Sequence, residues 1–275
     1  MMKIKLLRIA IITILLGWLP IKSYAQLTDG MSGLLHMVTA EVQEDATVMI
    51  GGNMLHKNNI PSKYWWGNYN TYNYYLNFTF LDRIEISYIC TLVQGKKNHF
   101  HWPSYTWGKF VNQDRHFAGK IQLVKEEEWW KHMPAIAVGV SDPTTGGSFD
   151  YTDLNVSGSS NGFFNRWFAA MTKHFPIKGA GELGLHATYL YNKRTDYPLN
   201  GLAWGINFRP IFHRNLNFIV EHDTKTLNVG ALYSLWADHF NFLFELQEGK
   251  YISAGLVYKV NLKGGNRWKS KLFDY

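Results

Sequence analysis

The sequence predicts an all-β chain: an antiparallel up-and-down transmembrane β-barrel of about 12 to 14 strands. Three observations lead there. Apolar and polar residues alternate with a period of two in segment after segment between residues 47 and 262, which is the strand period. The segments are joined by turns and loops with little helical patterning, as a meander requires. Aromatic residues make up 16% of the chain, gather at segment ends and accompany no cofactor motif.

Lys3, Lys5 and Arg8 precede an apolar run over residues 9–19, then Pro20 and the small-residue site Ser23-Tyr24-Ala25. That is the layout of a secretory signal peptide, residues 1–25, cleaved before Gln26. The apolar run is well short of the roughly 20 residues of a spanning helix. No later stretch approaches that length, so membrane insertion must be by strands. The leader takes Lys3, Lys5, Arg8 and Lys22 with it and no acidic residue, so the formal charge falls from +7 to +3. Without a basic stripe, a nucleic-acid partner is excluded. The one cysteine, Cys90, can form no internal disulfide, and none follows the cleavage site to carry a lipid. No linker or charge block divides residues 26–275, which read as one barrel domain, with 26–46 a segment that plugs it or leads into it.

The elements follow in order. Residues 47–57 form a first strand through Val48 and Ile50 to Gly51-Gly52, a pair suited to a bulge or a close approach. Residues 70–81 set Tyr72, Tyr74, Leu76, Phe78 and Phe80 against Asn73, Tyr75, Asn77 and Thr79. A turn at Asp82-Arg83 leads to residues 84–92, where Ile84, Ile86, Tyr88, Cys90 and Leu92 oppose Glu85, Ser87 and Thr91. Residues 95–112, cationic, aromatic and without alternation, suit a long extracellular loop. His99 and His101 within it lack the further ligands of a metal signature.

Residues 113–158 hold two or three strands, a charged turn with Trp129 and Trp130, and a Gly-rich turn. Ile136, Val138 and Val140 alternate there with Ala135, Ala137, Gly139 and Ser141, a branched face backed by a small one, which suits a barrel wall. Strands follow at 164–175, 181–191, 201–209, 216–221, 227–236, 240–247 and 251–262. The tail from Lys263 to Tyr275 is basic and does not alternate, whereas a barrel calls for a closing strand near the C-terminus. A lipocalin-like barrel or a β-sandwich would share the alternation but point the apolar faces inward. Aromatic strand ends opposite small or charged faces favour lipid outside.

On this register Glu85, Lys120, Glu182, His186, Arg209, Glu221 and Glu245 share the polar face. In a small barrel they meet in the lumen as a paired charge network, because unpaired buried charge is costly. The functional alternative is a selectivity filter or ligand surface. Trp129 and Trp130, and Tyr189 and Tyr191, belong to interfacial girdles. Glu126, Glu127 and Glu128 point in divergent directions and form a solvated turn. Gly146-Gly147 beside Asp142 reads as a turn, since no helix follows for a phosphate cradle. His186, Ser234 and Asn207 supply the types for an esterase, but no spacing ties them together and no Gly-x-Ser-x-Gly elbow appears. No catalytic residue, cofactor or metal is expected.

Asp114-Arg115 with Phe117 and Leu123, then Pro134-Ala135-Ile136-Ala137-Val138-Gly139-Val140 and Asp142 before Gly146, resemble the YjbH family of outer-membrane proteins. Gly33-Leu34-Leu35 and Thr39-Ala40-Glu41 fit the same pattern. The resemblance implies a Gram-negative outer-membrane barrel linked to exopolysaccharide or capsule synthesis or export, with no defined reaction. Family members are often lipoproteins and much longer, whereas this chain lacks the lipid cysteine and holds one barrel. The expected role is therefore non-enzymatic assistance to polysaccharide export or assembly, with outer-membrane lipid, polysaccharide and other export components as partners. A lipid-modifying hydrolase and a structural or porin-like barrel unrelated to polysaccharide are the alternatives.

Overall fold

The structure, a computed structural model, describes residues 30–59, 69–98, 102–143, 165–192 and 199–263. Among them are twelve strands: β1 (Thr47–Leu55), β2 (Thr71–Phe80), β3 (Ile84–Gln94), β4 (Phe110–Val124), β5 (Ala135–Ser141), β6 (Arg166–Ile177), β7 (Gly181–Tyr191), β8 (Gly201–Pro210), β9 (Leu216–His222), β10 (Leu227–Leu235), β11 (Phe240–Gln247) and β12 (Tyr251–Asn261). Each pairs antiparallel with its sequence neighbours, and β12 returns to pair with β1 from Thr47↔Asn261 to Met54↔Ala254. The sheet is thus a closed up-and-down barrel with no free edge.

β12 is the closing strand that the tail does not supply; residues 264–275 lie outside the described residues, as do the leader, His99, His101, Gly146 and Gly147. The largest departure in boundaries is β4. Residues 110–112 lack alternation, yet they pair with the end of β3 at Val93↔Asn112 and Gln94↔Phe110 across a register shift, so a neighbour's backbone makes them strand.

The outer face carries the apolar sets. Tyr72, Tyr74, Phe80, Phe117, Ile121, Trp204, Phe218, Phe242, Phe244 and Leu256 are all exposed, whereas their in-strand neighbours Asn73, Thr79, Lys120, Ala203, Asn217, Glu245 and Val257 are buried. A large exposed apolar surface over a polar interior reverses a soluble fold and matches a lipid-facing wall. Trp129 and Trp130 are 66% and 55% exposed in the 125–134 turn, and Tyr189 and Tyr191 are exposed at the far end of β7. The start of β1 and the end of β12 lie at the rim that carries the turns 81–83, 125–134, 178–180, 211–215 and 236–239. The described ends of the connections 56–70, 95–109, 142–165 and 192–200 lie at the opposite rim, with the turns 223–226 and 248–250.

The small face of β5 has a partner. Ala135 and Ala137 pack with Ala170 of β6 and with Ala40, which belongs to a chain segment inside the barrel. Small wall residues there make room for the segment that carries Ala40.

Candidate functional site

Residues 30–45 occupy the lumen. The segment folds as a hairpin, with a bridge between Gly33 and Val38 and a Leu34 N–H to Met37 carbonyl bond of 3.0 Å. Its apolar residues Met31, Leu34, Leu35, Met37 and Val38 form one buried cluster with inward residues of the wall, among them Met49, Ile89, Phe168, Leu190, Ile219, Leu232, Leu243 and Val257. It runs from Asp45, beside Asp82 at the rim of the 81–83 turn, to His36, beside Asp223 in the β9–β10 turn at the other rim.

Four of the seven predicted lumen residues bond to this plug, and the other three bond to the wall. Lys120 and Glu85, opposed across β4 and β3, lie 3.2 Å apart with neither exposed. The Lys120 ammonium also donates to the carbonyls of Ser32 (2.9 Å), Thr39 (3.3 Å) and Glu41. Glu85 accepts from the Ser32 N–H (2.9 Å), the Ser32 hydroxyl (2.5 Å) and the Gln43 N–H (3.0 Å). Glu221 takes the N–H groups of Leu35, His36 and Met37 at 2.8, 2.6 and 3.4 Å, capping the hairpin tip. Glu245 lies 2.8 Å from His36 Nε2, and Asp223 lies 2.7 Å from His36 Nδ1. Arg209 pairs with Glu182 at 3.4 Å. His186 bonds Thr172 at 3.0 Å and Asn207 at 2.7 Å. Two pairs of the seven residues are thus direct, and most of the rest are satisfied by plug groups, chiefly backbone N–H donors that no side-chain pattern displays.

The plug's own ionisable residues and their partners were missed from sequence. Glu41 lies 3.1 Å from His174 Nε2, and Glu126 of the 125–134 turn lies 2.8 Å from His174 Nδ1. Burial pushes the Glu126 carboxyl up, but bonds to His174 and Lys173 outweigh it and hold the group at about 2. Burial likewise raises Glu41, and the His174 charge and hydrogen bond bring it well below the usual carboxylate range. The acidic turn is therefore not simply solvated: Glu126 and Glu127 bind Lys173 and Glu128 binds Arg83. No pattern in the chain joins Glu41 to His174; only closure of the barrel around the plug does.

Two groups here hold metal-type side chains within reach of one another, Glu41 with His174 and His186, and His36 with Glu221 and Asp223. In both, each imidazole nitrogen already faces a carboxylate, hydroxyl or amide oxygen. The arrangement is that of charge-assisted hydrogen bonds between plug and wall. The esterase combination is not assembled either: His186 binds Asn207, while the Ser234 hydroxyl donates to Asn241 on β11 at 2.6 Å.

The wall is shaped for the plug. A Cβ on Gly205 of β8 would lie 2.3 Å from Leu34 Cδ1 and 3.1 Å from Met37 Sδ. Gly205→Val is expected to displace the hairpin tip at a cost of about 1–3 kcal/mol of overpacking. Limited proteolysis should then cut residues 30–45 faster, with the barrel still migrating anomalously when unheated. Gly119→Ala, whose added methyl meets only the Glu85 carbonyl oxygen at 3.9 Å, should leave cleavage unchanged.

No curated protein matches the chain. Among solved structures, an outer membrane channel from Pseudomonas putida F1 aligns over 82% of this chain and 98% of its own, at 12% identity and a TM-score of 0.36. The family model described as exopolysaccharide biosynthesis protein YbjH matches residues 26–163, which contain the whole plug and β1 to β5. By that match over half its length, the chain belongs to the YjbH exopolysaccharide-biosynthesis family.

Proposed function

We propose that this protein is a non-enzymatic outer-membrane barrel that assists exopolysaccharide export or assembly, and that it stands closed at rest around its own residues 30–45. The filled interior carries this reading. A segment held by Glu85, Lys120, Glu221 and Glu245 and packed into the wall suits a scaffold rather than a standing pore. Four of the seven lumen residues, Glu85, Lys120, Glu221 and Glu245, then act as plug holders and not as a selectivity filter. Family membership supplies the polysaccharide context, and the apolar outer wall supplies the lipid. The leader fits export to the periplasm, with a mature chain starting at Gln26.

The test has two readouts. Cell fractionation should recover the protein in the outer membrane with an intact mass starting at Gln26, and a soluble periplasmic protein would sink the location. In planar bilayers the full-length protein should give no steady conductance. Porin-sized conductance from the intact chain would overturn the closed scaffold.

A further inference from the structure

Among the described strand residues that face outward, Arg115 on β4 and Lys173 on β6 alone carry full charge. Lys173 lies towards the rim of the 125–134 turn and is neutralised by Glu126 and Glu127 at 2.9 and 2.8 Å. Arg115 has no carboxylate partner among the described residues. It opposes Cys90 on β3, which opposes Tyr74 on β2, and Tyr88 stands two positions along β3 on the same outward face. An exposed guanidinium is thus flanked by tyrosines on a wall that is otherwise apolar.

Its height resolves the cost. At a rise of about 3.3 Å per residue and a tilt of about 40°, Arg115 lies roughly 23 Å from Val124 along the membrane normal, against an apolar band about 25 Å tall. It therefore stands at the far boundary, at the level of headgroups rather than of acyl chains. The rim above it carries the long connections, the extracellular side in barrels of this type. The adjoining 95–109 connection adds exposed Lys96, Lys97 and Lys109.

We infer that Arg115, with Tyr74 and Tyr88 and the lysines of the 95–109 connection, binds a phosphate of a phosphorylated glycolipid of the outer leaflet. Arg115 grips one phosphate by its planar fork, the tyrosine hydroxyls bond phosphate or sugar oxygens, and the lysines meet a second phosphate. The ligand follows from three facts: the charge requires an anion, the level requires a headgroup, and the rim faces a leaflet built of phosphorylated glycolipid. The inference rests on the outer-membrane reading. Fractionation tests that reading separately, so a protein found in the outer membrane that fails the binding test would sink this site alone.

The experiment is native mass spectrometry of the full-length protein in detergent with bis-phosphorylated lipid A, dephosphorylated lipid A or phosphatidylglycerol. Wild type should retain bis-phosphorylated lipid A at least 10-fold better than either of the others. Arg115→Gln should lose most of that preference and Arg115→Lys should fall between, while Lys57→Gln, which removes a cation elsewhere on the same rim, should match wild type. Unheated gel migration checks that each variant is folded. Equal retention by Arg115→Gln, equal binding of dephosphorylated lipid A, or equal binding of phosphatidylglycerol would each overturn the proposal.

Discussion

Lys120→Met is expected to free the plug while leaving the barrel closed. The ammonium is buried between Glu85 and the carbonyls of Ser32, Thr39 and Glu41, so it ties both arms of the hairpin to β3 and β4. Methionine fills the volume but leaves Glu85 without a countercharge and three carbonyls without a donor. Breaking a buried pair from one side costs about 3–5 kcal/mol. The loss falls on plug docking, because the strand ladder of β1 to β12 does not use this side chain. Three measurements should move together: faster proteolysis within residues 30–45, a lower melting temperature for the heat-sensitive gel band, and conductance in bilayers where wild type is expected to give none. The double variant Lys120→Met/Glu85→Leu should recover much of the loss, since an apolar pair removes the stranded charge as well. If the single variant melts and digests like wild type, Lys120 does not hold the plug.

Why Lys120 was legible as an inward charge but not as a plug anchor is a matter of period. Alternation in residues 116–124 places Lys120, Ala118 and Gln122 on one face whatever lies opposite, and the same logic places Glu85, Glu182, Arg209, Glu221 and Glu245. Strand period alone reads out about 12 to 14 strands and an inward set. It says nothing of what fills the barrel, because residues 30–45 carry neither strand nor helix period. The contacts that fix the hairpin to the barrel join positions 36 to 187 residues apart and fall largely on backbone N–H and carbonyl groups, which every residue possesses. One hint was available. Gly139, Gly184, Gly205 and Gly230 all lie on strands, where glycine is costly unless something approaches closely. At Gly205 and Gly230 that neighbour is the plug, through Leu34 and Leu35.

Plug docking should also depend on pH through His36, and the sign can be worked out. Burial alone would lower the imidazole, but Glu245 and Asp223, at its two nitrogens, raise it well above its ordinary value near 6.5. A raised base contributes stability that is fully present below about pH 6.5 and is lost as pH rises through the raised folded value. Asp223 has the opposite sense: burial raises it, and the His36 bond and charge with the N–H groups of Thr226 and Lys225 bring it well below the usual range. Its contribution is present above its unfolded value near 3.9 and disappears only in stronger acid. Glu221, which caps the same tip through the N–H groups of residues 35–37, and Arg166, 3.4 Å from the His36 carbonyl, complete the charged groups facing it. The plug should be held most firmly from about pH 4 to 6.5 and loosen towards alkaline pH. His36→Gln should cut docking by about 3–5 kcal/mol, because it strands two buried carboxylates, and should flatten the alkaline fall. Proteolysis of residues 30–45 followed from pH 5 to pH 10 reads both effects. An identical pH profile in wild type and His36→Gln would mean that another group governs release.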